Sequence, residues 1–281
     1  MNRASRAKLA AETVRICDEG FYEVPGGGRV SISAQMSGCL EGTRFYDPEA
    51  LEKIEAEALG APRGDVETGF EVANETSLEG AARLATSAIF SRVGVLNFAS
   101  AKNPGGGFLG GSRAQEESLA RSSGLYKSLC ACPEYYEFHR QQRSPLYSDR
   151  MIYSPGCPVF RNDEGQLLAE PYAVDFITSP APNAGAVEKN KPKLTDQIEP
   201  TLLGRSLRLL CLAAHRECDA LVLGAWGCGV FKNDPVAVAE AFHAHLGPGG
   251  PLHGTFRRVL FSVLDRSEDK RTYGAFAARF G

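Results

Sequence analysis

The stretch NFASAKNPGGGFLGGSRAQEE, residues 97–117, decides the reading of this chain. It is entered from Val93–Ala99, an apolar run of strand length, and it leaves into a segment of helical character. Between them five glycines fall in the seven positions from Gly105 to Gly111. The missing Cβ atoms let a ligand approach the main chain and let consecutive N–H groups converge on one anion. A solvated linker would have little use for Pro104 or for the apolar pair Phe108-Leu109. Strand, glycine loop and helix therefore read as one unit of a sheet covered by helices, with a ligand at the turn.

Working outward, the same texture recurs. The strand Ala220–Ala225 runs into a second loop, Gly224 to Asn233 with Gly227 and Gly229, and Asp234-Pro235 then supplies an N-cap and first residue for a helix over 236–246. This loop has neither the G-x-G-x-x-G spacing nor a GK[ST] triplet, so it suits a pyrophosphate held on backbone donors rather than triphosphate hydrolysis. Upstream, the strand Phe70–Ala73 precedes the capping box Thr76-x-x-Glu79, and Ser112-x-x-Gln115 predicts a second such box. Further strands are expected at Met151–Ser154, Tyr172–Thr178 and Arg258–Leu264, and a helix over 202–216. The segment 133–150 is polar and aromatic, and Pro180–Pro192 reads as a long loop. Two glycine loops at the C-terminal ends of strands point to one shared crevice, where open α/β sheets place ligands. Trp226, the only tryptophan, serves equally well there as core or as ligand contact.

Before residue 66 the pattern differs. Leu9, Ala10, Val14 and Cys17 recur at helical spacing until Gly20, residues 29–34 alternate like a short strand, and Asp47-Pro48 opens a helix that closes at Gly60. The expectation is an α/β protein: a catalytic domain over 66–281 with residues 1–65 as an N-terminal helical extension packed on it.

Composition narrows the partners. The 281 residues carry a net charge of −3, so a phosphorylated ligand is to be held by N–H groups and helix ends rather than by a field of lysines. No long apolar span and no signal-like N-terminus is present, so no membrane partner and a cytoplasmic setting are expected. Eight cysteines lie scattered without CxxC or CxxC-to-HxxxH spacing, and His243 and His245 fall on different helix faces, so reduced thiols, no metal and no cofactor are expected. Cys130-x-Cys132 is a weak exception.

The chemistry falls to Glu116 and Glu117. Acidic residues in a first helical turn often only complement the helix dipole, but these two stand at the exit of a ligand-type loop. Adjacent positions point about 100° apart around a helix, so the pair divides its roles. Glycoside cleavage needs an acid for the leaving oxygen and a base for water, and one residue serves both in turn when the oxocarbenium-like state persists. The helix N-terminus lowers both pKa values while the neighbouring charge and a bound pyrophosphate raise them, and the sequence leaves that balance open.

Three glycines, a spacer of six to eight residues and then QEE is the signature that the chain shares with the bacterial-type poly(ADP-ribose) glycohydrolases, a divergent branch of the macrodomain fold. Here it is Gly105-Gly106-Gly107, the spacer Phe108–Ala114, and Gln115-Glu116-Glu117. The chain resembles that family from about Phe70 to Leu264, and its first 65 residues look like the family's helical extension. The resemblance implies a three-layer α/β/α sandwich with a mixed sheet, acting on the terminal ADP-ribose of poly(ADP-ribose). Glu117 would protonate the departing ribose oxygen and then activate water, Glu116 would hydrogen-bond ribose hydroxyls, and Gln115 would join the substrate-binding residues. Asn103 and the backbone of Gly105, Gly106 and Gly107 would position the distal ribose. Gly227, Cys228, Gly229 and Val230 would form the pyrophosphate loop, with Phe231 on the distal ribose. Adenine would lie near Thr76 and Ser77, where the aspartate of many macrodomains is missing. Poly-ADP-ribosylated proteins and the DNA damage response are the implied partners and setting, and a monomer is expected. Two alternatives remain: a reader that binds ADP-ribose without cutting, which would not need the glutamate pair, and a hydrolase of single ADP-ribose units.

Overall fold

The structure is a computed structural model that describes residues 1–61 and 66–281. Helix α1 (Arg3–Glu19) is capped by the Asn2 side chain and stopped by Gly20 in the left-handed conformation. The hairpin β1 (Phe21–Val24) and β2 (Gly28–Ser31), then α2 (Ser33–Gly42), β3 (Arg44–Tyr46) and α3 (Pro48–Gly60) complete the first segment. The boundary expected at residue 65 lies outside the described residues. There follow β4 (Gly69–Ala73), α4 (Ser77–Ala85), β5 (Val93–Phe98), α5 (Gln115–Ser122), α6 (Leu125–Cys130) and α7 (Pro133–Gln141). The hairpin β6 (Met151–Arg161) and β7 (Leu167–Ser179) leads to α8 (Ala184–Asn190), α9 (Ile198–His215), β8 (Ala220–Leu223), α10 (Pro235–Leu246), β9 (Arg258–Ser262) and α11 (Arg271–Phe280).

Seven strands form one mixed sheet in the order β3-β6-β7-β5-β8-β9-β4. From β7 to β4 all neighbours run parallel, whereas β3 and β6 are antiparallel additions at one edge. Side chains alternate across this sheet as a period of two demands. Leu96, Tyr153, Ile177, Leu221 and Phe261 face one core with α3, α9, α10 and α11. Their neighbours Val95, Ile152, Phe176, Val222 and Leu260 face the other, with α4, α5, α6 and α7. The strands carry apolar residues on both faces because both are covered, and the result is the three-layer sandwich expected of a macrodomain-like fold.

Several local expectations need correction. Ser112 does not cap α5: the helix starts at Gln115, its N-cap is Ala114, and no side chain bonds there. The Gln115 amide is turned instead toward β5 and Ser77. The segment 180–192 is no long loop, because Asn183 caps the short helix α8 inside it. Trp226 belongs to the core, 1% exposed, with its indole N–H donated to the Ser179 carbonyl at 3.0 Å. Helix α11 was not expected, and its capping explains why. The N–H groups of Thr272 and Tyr273 are accepted by Asp265, well upstream of the helix, so no local cap precedes its first turn. The Thr76-Glu79 box and the Asp47 and Asp234 caps form as expected.

Candidate active site

A cleft of about 730 Å³ lies across the C-terminal ends of β4, β5, β8 and β9, lined by the loops that leave them. Because β5 and β8 are adjacent and parallel, the two glycine loops emerge side by side into it.

The first turn of α5 is fixed by Gln115. Its Oε1 accepts the Phe98 N–H at 2.9 Å, and its Nε2 donates to the Leu96 carbonyl at 2.7 Å and to the Ser77 hydroxyl at 3.1 Å. With the helix start locked to the end of β5, the next two residues are placed by helical rotation alone. Glu116 is buried: Oε2 accepts the Ser100 N–H at 2.7 Å and Oε1 accepts the Asn97 amide at 3.3 Å. Burial pushes its carboxyl up to about 8, and the neighbouring Glu117 charge adds to this against the donors of Ser100, Asn97 and Gly105. Desolvation thus outweighs these donors, an effect that residue order alone does not reveal. Glu117 lines the cleft at 9% exposure. Its Oε1 accepts the Gly107 N–H at 3.0 Å, and its Oε2 is buried without a hydrogen-bond partner among the described residues.

Gly106 is required by these carboxylates. Gly106 has φ of +59°, and a Cβ there would stand 2.4 Å from Glu117 Oε1 and 3.1 Å from Glu116 Oε2. Gly106, Gly107 and Asn103 line the cleft. Gly105 does not, since its Cα faces Phe108, Ala120 and Tyr126 behind the loop.

Behind this loop lies α1. Arg3 Nε donates to the Gly110 carbonyl at 2.9 Å and Arg6 Nε to the Gly111 carbonyl at 2.8 Å. A Cβ on Gly111 would fall 2.2 Å from the Arg3 carbonyl oxygen, so helix and loop touch backbone to backbone. The Thr13 hydroxyl donates to the Arg121 carbonyl on α5 at 2.6 Å, and Ala10 packs with Phe108 and Ala120. Buried Arg161 pairs with Glu12 at 2.7 Å and donates to the Gly165 carbonyl at 2.9 Å, which ties the β6–β7 turn to the same helix.

The second loop brings Gly227, Cys228, Gly229, Val230 and Phe231 to the opposite wall. It is anchored below by Asn233, which donates to the Pro182 carbonyl at 2.8 Å, while Val230 is 79% exposed at its tip. Phe231 stands 5.8 Å, centroid to centroid, from Tyr147, which also lines the cleft. At the far end Thr76 and Ser77 line the wall, and the Thr76 hydroxyl donates to Asp163 Oδ2 at 2.5 Å. Sequence reasoning missed Asp163 and Tyr147. The first comes from the turn of a hairpin predicted only as two short strands, and the second from a stretch without periodicity. All the other residues predicted for the site, Gly105 excepted, line this one cleft. Among the described residues no group of three or more His, Cys, Asp or Glu is placed to hold a metal ion, and no helix is long and apolar enough to cross a membrane.

Residues 10–162 match the family described as microbial-type PARG, catalytic domain. No curated protein matches the chain. Among solved structures it is similar to the poly(ADP-ribose) glycohydrolase of Thermomonospora curvata bound to the inhibitor ADP-HPD, with 50% identity over 99% of this chain and 100% of that one and a TM-score of 0.91. Another structure of the Thermomonospora curvata enzyme gives 51% identity, the same coverage and a TM-score of 0.94. The poly(ADP-ribose) glycohydrolase of Deinococcus radiodurans in complex with ADP-ribose is 48% identical over 86% of this chain and 96% of that one, with a TM-score of 0.81. Fold and family likeness together define a glycosyl-bond hydrolase built on a macrodomain-like sandwich. The chain belongs to the microbial-type PARG family and is a poly(ADP-ribose) glycohydrolase.

Proposed function

We propose that the enzyme hydrolyses the ribose–ribose bond of poly(ADP-ribose) with Glu117 as acid and then base. Glu117 Oε2 gives its proton to the departing ribose oxygen as the bond to the anomeric carbon breaks. The resulting carboxylate takes a proton from water, whose oxygen attacks the oxocarbenium-like carbon, and the acid is restored. The single observation behind this assignment is the asymmetry of the carboxylate: one oxygen held by Gly107, the other buried on the cleft wall with no hydrogen-bond partner among the described residues. Glu116, neutral below its raised pKa, donates to a ribose hydroxyl and holds the sugar in register.

In this reading Asn103, Gly106 and Gly107 position the distal ribose under Phe231. The N–H groups of Gly227, Gly229 and Val230 take the pyrophosphate, with Cys228 between them, and adenine lies beside Thr76 and Ser77, where Asp163 supplies the carboxylate that the local sequence lacks. Residues 66–281 act as the catalytic domain and residues 1–65 as an extension that supports it. The enzyme works as a monomer on poly-ADP-ribosylated proteins formed in the DNA damage response, in a cytoplasmic setting that the eight free thiols favour. Replacing Glu117→Gln keeps shape and removes the titratable proton. ADP-ribose should still bind to that variant by calorimetry while polymer release falls at least about a thousandfold; turnover at the wild-type rate would overturn the assignment.

A further inference from the structure

Cutting a ribose–ribose bond splits the ligand into a held part and a leaving part, and the leaving part begins beside Glu117 with the adenosine and pyrophosphate of the next unit. The two ends of the cleft carry different side chains. At the Thr76 end Asp163 lines the wall; burial, together with Glu79 and Glu164 nearby, raises its pKa. Arg113 lines the cleft as well. Beyond the Glu116–Glu117 pair, the rim at the other end carries cations. Lys102 lines the wall beside Asn103, and Arg140 donates to the Lys102 carbonyl at 3.1 Å. Arg143 immediately precedes the turn from Ser144 to Tyr147 that delivers the Tyr147 ring to the wall. Lys232 follows Phe231 in the left-handed conformation, and its side chain lies 3.0 Å from where a Cβ of Gly185 would be.

All four cations are exposed, and none forms an ion pair among the described residues. Their segments meet at one rim, because the His139, Tyr147 and Phe231 rings follow one another at 6.0 and 5.8 Å and Arg140 reaches the Lys102 carbonyl. A second hollow of about 330 Å³ opens on the far side of Tyr147, lined in part by Ser144, Ser148 and Thr201. It offers a sugar and a base room beside the turn that follows Arg143.

We propose that Lys102, Arg140, Arg143 and Lys232 form a leaving-side subsite that binds the pyrophosphate of the penultimate polymer unit, so that the chain exits over the Tyr147 rim. This rests on the reading of Glu117 as the residue beside the scissile bond. The subsite adds affinity for polymer and none for free ADP-ribose, because the monomer ends where the subsite begins. It also makes polymer binding sensitive to salt. On a single-stranded polyanion each neutralised phosphate contributes roughly −0.7 to the slope of log K against log salt, so the two phosphates of one pyrophosphate give about −1.4.

The test uses the full chain carrying Glu117→Gln, with binding of ADP-ribose and of free poly(ADP-ribose) measured from low to high NaCl. Adding Arg140→Glu and Arg143→Glu should weaken polymer binding about tenfold or more and flatten its salt slope by roughly 0.7, with ADP-ribose affinity unchanged. The same charge change made remotely, Arg29→Glu with Lys53→Glu, should leave the slope alone. Equal losses in both double variants would mean that net charge acts and the rim does not. An unaltered polymer affinity and slope in the rim variant would overturn the proposal, as would a parallel loss of ADP-ribose binding. Failure of the Glu117 reading shows separately, as polymer turnover by Glu117→Gln alone.

Discussion

The two glycine loops leave neighbouring strands, yet the protein treats them oppositely. The loop after β5 is held from behind by Arg3, Arg6 and a buried Phe108, and its Gly107 N–H grips the proposed acid. The loop after β8 is anchored at Asn233 and leaves Val230 79% exposed. On the proposed reading, rigid support stands where a proton is delivered, and looser support where the pyrophosphate enters and leaves. Positioning errors of about an ångström cost roughly a hundredfold at a reacting atom, whereas main-chain anion contacts tolerate adjustment.

Single residues can break that contrast. After Glu117→Gln, the largest effect is expected from Gly106→Ala. Its Cβ meets Glu117 at 2.4 Å in a backbone conformation with φ of +59°, so kcat should fall by roughly a hundredfold or more. Gly229→Ala is the matched control, since none of the described residues lies within 4 Å of its Cβ position, and its kcat should stay within about twofold of wild type. Comparable losses in both would erase the distinction between the loops.

Glu116→Gln sharpens the comparison through pH. The native carboxyl titrates at about 8, above its unfolded value of 4.5, so its contribution to stability is complete below the lower value and is lost as pH rises through the upper. The glutamine variant escapes that loss. Its thermal stability relative to wild type should climb between pH 5 and pH 9, by a few kcal/mol in all. A difference independent of pH would mean that Glu116 is ionised throughout. Arg3→Ala with Arg6→Ala should lower kcat about three- to tenfold with KM little changed, because only the braced loop is loosened; the two lost bonds are charge-assisted but partly exposed. Smallest of all, Phe231→Ala should raise KM a few-fold by removing the ring packed against Tyr147. A loss confined to kcat there would place Phe231 with the first loop functionally.

Much of this contrast is legible in residues 97–117. Five glycines in seven positions announce close approach, and QEE at the loop exit announces paired carboxylates. What the string hides is distance. Gln115 looks like half of a capping box because capping boxes are local, yet its amide reaches back to Leu96 and Phe98 on β5. Asp163 joins Thr76 from 87 positions away, and no spacing rule connects them. The order of the two loops in one crevice follows from strand–loop–helix repetition, whereas α6, α7 and α11 do not, since none opens on a side-chain cap of its own. The pKa of Glu116 was out of reach for a related reason: the helix start that lowers it is local, and the burial that raises it is built by the whole fold.

The contacts of α1 also bear on how the chain assembles. Its bonds to Gly110, Gly111, Arg121 and Arg161 span 105 to 149 positions, so the helix is synthesised long before anything exists to receive it. A solitary helix of 17 residues is only marginally formed in water. Docking of that helix is therefore a late event, and a refolding chain should recover its secondary structure before it recovers turnover.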